Sequence, residues 1–208
     1  MPGRETRVGE RALADFDELL DALVQAIAPL CTMPFAFFGH SLGAFVAFEL
    51  AHLMRANDHV PDGPVKLIVS GQRAPHVPDR STPLYHLPDA EFIDALQTRY
   101  NAIPAEVVGN PQMLGMLLPM LRADFTLHDT YQCAEGAPLD CPIVAFGGDA
   151  DPETNEDELQ AWRLHTSATF TATLFAGGHF FIRTAREAVL AALGDELTAL
   201  ERESPTCR

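Results

Sequence analysis

The chain has 208 residues, 47% of them hydrophobic, with 14 Lys plus Arg against 29 Asp plus Glu and a formal net charge of -15. That length supports one sizeable core, with room for an insertion, and excludes two full domains. The charge repels phosphate backbones and anionic lipid, so neither nucleic acid nor a membrane is expected as a partner; it suits a solvated acidic surface. Cys31, Cys133, Cys141 and Cys207 show neither C-x-x-C spacing nor the density of a disulfide scaffold. Reduced thiols in a cytoplasmic protein follow, with no metal expected. Residues 1–7 carry charge and no apolar leader stretch, and the apolar run 113–121 is interrupted by Pro119.

In chain order, Phe16, Leu19, Leu20, Leu23, Val24, Ile27 and Leu30 recur at helical steps and predict an amphipathic helix over 12–30. An apolar run at 34–38 reads as a strand. Gly39-His40-Ser41-Leu42-Gly43 follows it, and then a helical pattern over 44–55. Turn formers crowd 57–64 before the next strand, 65–70. Strand, helix, strand in this order implies a parallel sheet with a right-handed crossover. From 88 to 131 the pattern is helical, with Pro104, Pro111 and Pro119 cutting it into short pieces and Asp89 placed to cap a helix over 90–100. The alternation then resumes with strand 141–147, helix 157–164, strand 172–175 and helix 186–202. The expectation is an α/β fold, with a core of 1–87 and 132–208 and a helical insertion at 88–131.

A G-x-S-x-G between strand and helix is a nucleophile elbow, a turn so sharp that side chains two residues either side of the serine would clash. Ser41 needs a base to take its proton and a third group to orient that base. His179, in Gly177-Gly178-His179-Phe180-Phe181 directly after strand 172–175, is the candidate base. The other histidines lie in helix patterns or lack a strand-end setting. His40 adjoins the serine too closely to turn toward it. Gly147-Gly148-Asp149-Ala150-Asp151-Pro152 follows strand 141–147 at a carboxyl end, where ligand sites gather in α/β sheets. It offers two carboxylates, Asp151 and Asp149, and the latter type often serves turn backbone instead. The backbone N–H of Leu42, at the start of the elbow helix, is the candidate oxyanion donor.

Several segments together carry a resemblance. They are Pro2-Gly3-Arg4-Glu5, Phe37-Phe38-Gly39-His40-Ser41-Leu42-Gly43-Ala44, Leu67-Ile68-Val69-Ser70-Gly71-Gln72-Arg73-Ala74-Pro75, Leu87-Pro88-Asp89, Cys141-Pro142-Ile143 and Gly177-Gly178-His179-Phe180-Phe181. In these the chain resembles type II thioesterases of polyketide and nonribosomal peptide assembly lines, a branch of the α/β-hydrolase family. The resemblance implies Ser41 as nucleophile, His179 as base and Asp151 as orienting acid, with no cofactor. It implies hydrolysis of acyl or peptidyl thioesters on the phosphopantetheine arm of a carrier protein, as a housekeeping step. The insertion would then be a lid, with Phe92, Leu96, Met113, Met116, Leu117 and Met120 as acyl-pocket lining or, equally, as core packing. Arg73, Arg99 and Arg122 are candidates for a basic patch that meets an acidic carrier protein.

Members of that family normally begin with a strand and a Pro- and Gly-rich loop that completes the oxyanion hole, whereas this sequence starts at the later Pro-Gly-Arg segment. From that departure, strand 34–38 is expected as an exposed apolar edge. Two rival readings stand beside this one: a general carboxylesterase or lipase-like serine hydrolase, and a catalytically impaired binding module.

Overall fold

The computed structural model describes residues 1–56, 63–100, 103–134 and 136–203. Most of the turn-rich stretch 57–64 and Cys207 therefore lie outside the described residues. The chain forms two compact units, Met1–Ala26 with Asp79–Ala134, and Ile27–Pro78 with Glu135–Arg208. This differs from the expected boundaries of 1–87 with 132–208 and 88–131. Residues 1–26 group with the helical segment, because Arg4 ion-pairs with Asp124 and the Phe16 ring packs 5.0 Å from that of Tyr131.

The second unit holds a four-stranded sheet in the order β1-β2-β3-β4, all parallel, from β1 (Ala36–His40), β2 (Lys66–Ser70), β3 (Ile143–Gly148) and β4 (Phe170–Phe175). Every residue of β2 and β3 is buried, as suits central parallel strands covered on both faces. β1 is an edge, where Phe38 is 44% exposed. Helix α1 (Phe16–Ile27) precedes the sheet in the chain, and helix α2 (Leu42–Arg55) buries Ala44, Phe45, Ala47, Phe48, Leu50, Ala51 and Met54.

Around β2, β3 and β4, Ile68, Val144, Phe146 and Phe175 form a core with Phe181 and Val189. The Phe175 and Phe181 rings stack 5.6 Å apart, so the segment just after His179 is pinned to the end of β4. A short helix, α6 (Glu156–Gln160), starts with a capping box in which Asn155 and Glu158 satisfy each other's backbone N–H groups. Helix α8 (Arg186–Glu203), which follows the short α7 (Phe181–Thr184), is tied to β2 by buried Lys66, whose Nζ donates to Glu196 Oε2 at 2.7 Å.

The helical unit contains α3 (Asp89–Tyr100), α4 (Ala105–Val108) and α5 (Pro111–Thr130). Leu84, Phe92, Leu96, Ile103 and Val107 form its core. Two of the three prolines act as boundaries: Pro104 precedes α4, and Pro111 opens α5 behind an Asn110 cap. Pro119 does not cut the helix as expected. It forfeits one i→i−4 bond, but Ala123 and Leu127 further along are anchored by burial, and tertiary packing outweighs a local propensity. Among the described residues no helix is long and apolar enough to cross a membrane, and no group of three or more His, Cys, Asp or Glu could hold a metal ion.

Candidate active site

Ser41 sits between β1 and α2 with φ 54° and ψ -126°, a backbone conformation that non-glycine residues rarely adopt. Its N–H donates to Ser70 O at 2.8 Å, so the turn is locked to the end of β2. The turn closes tightly enough that a Cβ on Gly39 would lie 1.9 Å from Gly43 O and 2.3 Å from Gly43 C. A Cβ on Gly43 would meet nothing within 4 Å. Only the first glycine of the motif is therefore sterically required, where the sequence reading expected both.

His179 follows β4 and lies between two partners. Its Nε2 is 3.0 Å from Ser41 Oγ, and its Nδ1 is 3.0 Å from Asp151 Oδ2. An ionised carboxylate only accepts, so Nδ1 carries the proton and Nε2 is left to accept from the serine hydroxyl. The Asp151 side chain is fully buried and that of His179 is 8% exposed, so water competes little for either bond. The second oxygen of Asp151, Oδ1, accepts from Glu153 N at 2.9 Å and fixes the carboxylate plane.

Asp149 has a different task. Its Oδ1 accepts from Gly177 N at 2.9 Å, and its own N–H donates to Phe175 O. With Ala150 N donating to Gly177 O at 3.0 Å, this stitches the loop that carries Asp151 to the loop that carries His179. Leu42 is the first residue of α2, where backbone N–H groups lack intrahelical partners and the helix dipole favours negative charge.

Ser41, His179 and Asp151 thus come together in one hydrogen-bonded line within a single compact unit. The expected acyl-contacting side chains divide. Phe92 and Leu96 lie inside the core of the helical unit, with Leu117 packed against it, while Met113 and Met116 are exposed and Met120 is half-buried. Of the three arginines expected to form a basic patch, Arg73 is buried, while Arg99 and Arg122 are half-exposed. Arg73 is 7% exposed, donates from Nε to Val77 O and stacks 5.0 Å over the Phe45 ring. Arg122 pairs with Asp89 and lies over Phe92, and Arg99 donates to Thr82 O.

Burial moves several histidines. His165 is pushed down to about 4 by burial first and then by His76 and His52, and His40 is pushed down to about 4 chiefly by burial. His40, between the elbow glycine and Ser41, bonds to Ser70 rather than to the nucleophile. Nothing in the sequence marked Ser70 as its partner, since that contact depends on the register that sets His40 opposite Ser70.

A parallel sheet flanked by helices, with a strained serine on a strand-to-helix turn and a histidine after the last strand, is the architecture of the α/β hydrolases. Within that class the chain belongs to the thioesterase family, hydrolases that act on thioesters: the model of the thioesterase domain matches residues 1–197. It is 40% identical to the gramicidin S biosynthesis protein GrsT of Aneurinibacillus migulanus, over 88% of this chain and 70% of that protein. It is 36% identical to thioesterase PikA5 of Streptomyces venezuelae, over 100% of this chain and 72% of that one. The crystal structure of ClbQ from the colibactin NRPS/PKS pathway superposes with a TM-score of 0.88 at 32% identity, covering 96% of this chain and 84% of ClbQ.

Proposed function

We propose that the chain hydrolyses acyl or peptidyl thioesters carried on the phosphopantetheine arm of a carrier protein, clearing stalled or wrongly primed groups in polyketide or nonribosomal peptide synthesis. The observation that carries the reading is the line from Ser41 Oγ through His179 to Asp151, both spans 3.0 Å. The Ser41–His179 span is within reach for proton transfer, and the His179–Asp151 span for the bond that orients the base.

His179 Nε2 takes the proton of Ser41 as Oγ attacks the thioester carbon. The C–S bond breaks as the tetrahedral adduct collapses, and His179 returns the proton to the departing sulfur. Water, deprotonated by the same nitrogen, then attacks the acyl-serine; the bond from the acyl carbon to Oγ breaks, His179 returns the proton to Ser41 Oγ, and the acid leaves. Asp151 keeps the imidazole in the tautomer that accepts from serine and steadies the imidazolium. We assign the developing oxyanion to the Leu42 N–H at the start of α2, a role in which a single donor is worth about 10²- to 10³-fold. The pathway class is supported by the kinship with ClbQ of the colibactin NRPS/PKS pathway and with the gramicidin S biosynthesis protein GrsT. A cytoplasmic setting accords with the thiols of Cys31 and Cys141.

The test is Ser41→Ala assayed on an acylated carrier protein. The variant should hydrolyse nothing above background while its melting temperature holds, since only a hydroxyl is lost. Hydrolysis that survives in the alanine variant overturns the mechanism. A wild type that cleaves oxygen esters as readily as carrier-bound thioesters overturns the substrate class, and a wild type inert to both makes the chain a binding module.

A further inference from the structure

The strand that delivers the acid ends in two glycines with opposite surroundings. Along β3, Val144 and Phe146 belong to the core that holds Phe175 and Phe181, and the two-residue period of a strand puts Gly148 on that same face. Gly147 points the other way. A Cβ there would lie 2.9 Å from Leu159 Cδ2 and from Leu174 Cδ2, the movable ends of two side chains. At Gly148 the obstacle is main chain: a Cβ would stand 2.5 Å from Gly177 O and 2.6 Å from Gly178 O.

Residues 177 and 178 therefore cross the end of β3 through the space that a side chain would take. The crossing is held in place from the acid's side. Asp149 Oδ1 accepts from Gly177 N at 2.9 Å, and Ala150 N donates to Gly177 O at 3.0 Å. His179 follows the crossing at once. Asp151 is tied to its other bank, since its N–H donates to Gly148 O at 3.3 Å and its Oδ1 accepts from Glu153 N. The segment that carries the base and the segment that carries the acid thus meet at Gly148, and backbone fixes the gap between them. A change in that gap passes to the 3.0 Å span between His179 Nδ1 and Asp151 Oδ2, because the aspartate side chain is fully buried, that of the histidine is 8% exposed, and neither has room to swing and compensate.

We propose that Gly148 is a positioning residue: by presenting no side chain to residues 177 and 178, it sets the approach of the His179 loop to the Asp151 loop and so the length of the bond that orients the base. The inference rests on the reading of Asp151 and His179 as orienting acid and base.

The experiment measures kcat and KM on a small acyl thioester, the rate at which a fluorophosphonate labels Ser41, and the melting temperature. Gly148→Ala and Gly147→Ala add the same atom to adjacent residues on opposite faces. The Cβ at 148 falls about 0.9 Å inside the 3.4 Å at which ordinary contact begins. Its kcat and labelling rate should drop about 10- to 100-fold while KM stays within about twofold, the pattern of a misplaced catalytic group. Gly147→Ala should lower the melting temperature but keep kcat within about threefold, because Leu159 and Leu174 can repack. In an Asp151→Asn background, Gly148→Ala should cost less than about threefold more, since the bond it spaces is already lost. Wild-type kcat in Gly148→Ala, equal losses of kcat in the two glycine variants, or the same loss in both backgrounds would each overturn the role of Gly148. If Gly148→Ala does not fold, Asp149→Ala releases Gly177 N from the same crossing and should lower kcat with KM unchanged; wild-type kcat there would overturn the proposal equally. Wild-type turnover in Asp151→Asn alone would instead overturn the acid and base reading itself.

Discussion

Gly39→Ala is the substitution that most directly probes how the elbow holds its serine. The added Cβ would stand 1.9 Å from Gly43 O, about 1.5 Å inside the 3.4 Å at which ordinary contact begins. The atoms it meets are backbone at the start of α2, so no side chain can swing aside. Either the first turn of α2 or the end of β1 must move by more than an ångström, and Ser41 lies between them. A displacement of about 1 Å at a reacting group can cost about 10²-fold in rate. Overpacking of this kind destabilises by about 1–3 kcal/mol. The expected outcome is a kcat/KM on an acyl thioester lowered at least about 10²-fold, with a parallel drop in fluorophosphonate labelling and a modestly lower melting temperature. Gly43→Ala is the control, since its Cβ meets nothing within 4 Å and alanine is favoured over glycine inside a helix by about 1 kcal/mol. It should keep both activity and stability. Wild-type turnover in Gly39→Ala, or equal damage from both substitutions, would refute the steric account.

Asp151→Asn should slow turnover by about 10⁴-fold, the scale known for a lost orienting carboxylate, whereas Asp149→Asn should act mainly through a looser Gly177 loop and lower stability. Steady-state rates and melting temperatures of the pair check this, and the reverse ranking would move the acid to Asp149. The depressed His165 sets a pH dependence of stability. The unfolded histidine takes up a proton as pH falls through its ordinary 6.5, the folded one not until about 4, so the unfolded state binds more protons in that window and stability declines from 6.5 toward 4. His165→Gln should make that decline shallower in urea midpoints measured between pH 7 and pH 5, and an unchanged slope would count against it. Asn155→Ala removes one half of the α6 capping box and should lower stability by about 1 kcal/mol with little change in kcat, as read by urea unfolding and thioester turnover.

Much of the fold was legible in the sequence because the signals are local. Strand 34–38, Gly39-His40-Ser41 and helix 44–55 announce a strand–turn–helix through composition and spacing alone, and the structure moves those boundaries by only about two residues, as element ends commonly shift. The placement of His179 after β4 was legible for the same reason. Asp149 and Asp151 share one turn, so spacing could not separate them; they differ in which neighbouring loop each side chain meets, Gly177 N for one and His179 Nδ1 for the other. Arg73 looked like surface from its charge, but the chain after β2 turns it over Phe45, where its long apolar stem packs and Val77 O satisfies its Nε.

Composition, periodicity and the order of motifs by themselves determined that this chain builds an α/β sheet with a serine elbow and a histidine loop, because each depends on neighbours a few residues apart. Only the tertiary structure decided which carboxylate faces the histidine, which of the two elbow glycines is required, and that residues 1–26 group with the helical unit. Those outcomes depend on backbone approach and on pairs such as Arg4 with Asp124, 120 positions apart, and chemistry at that separation is set by packing rather than by sequence spacing.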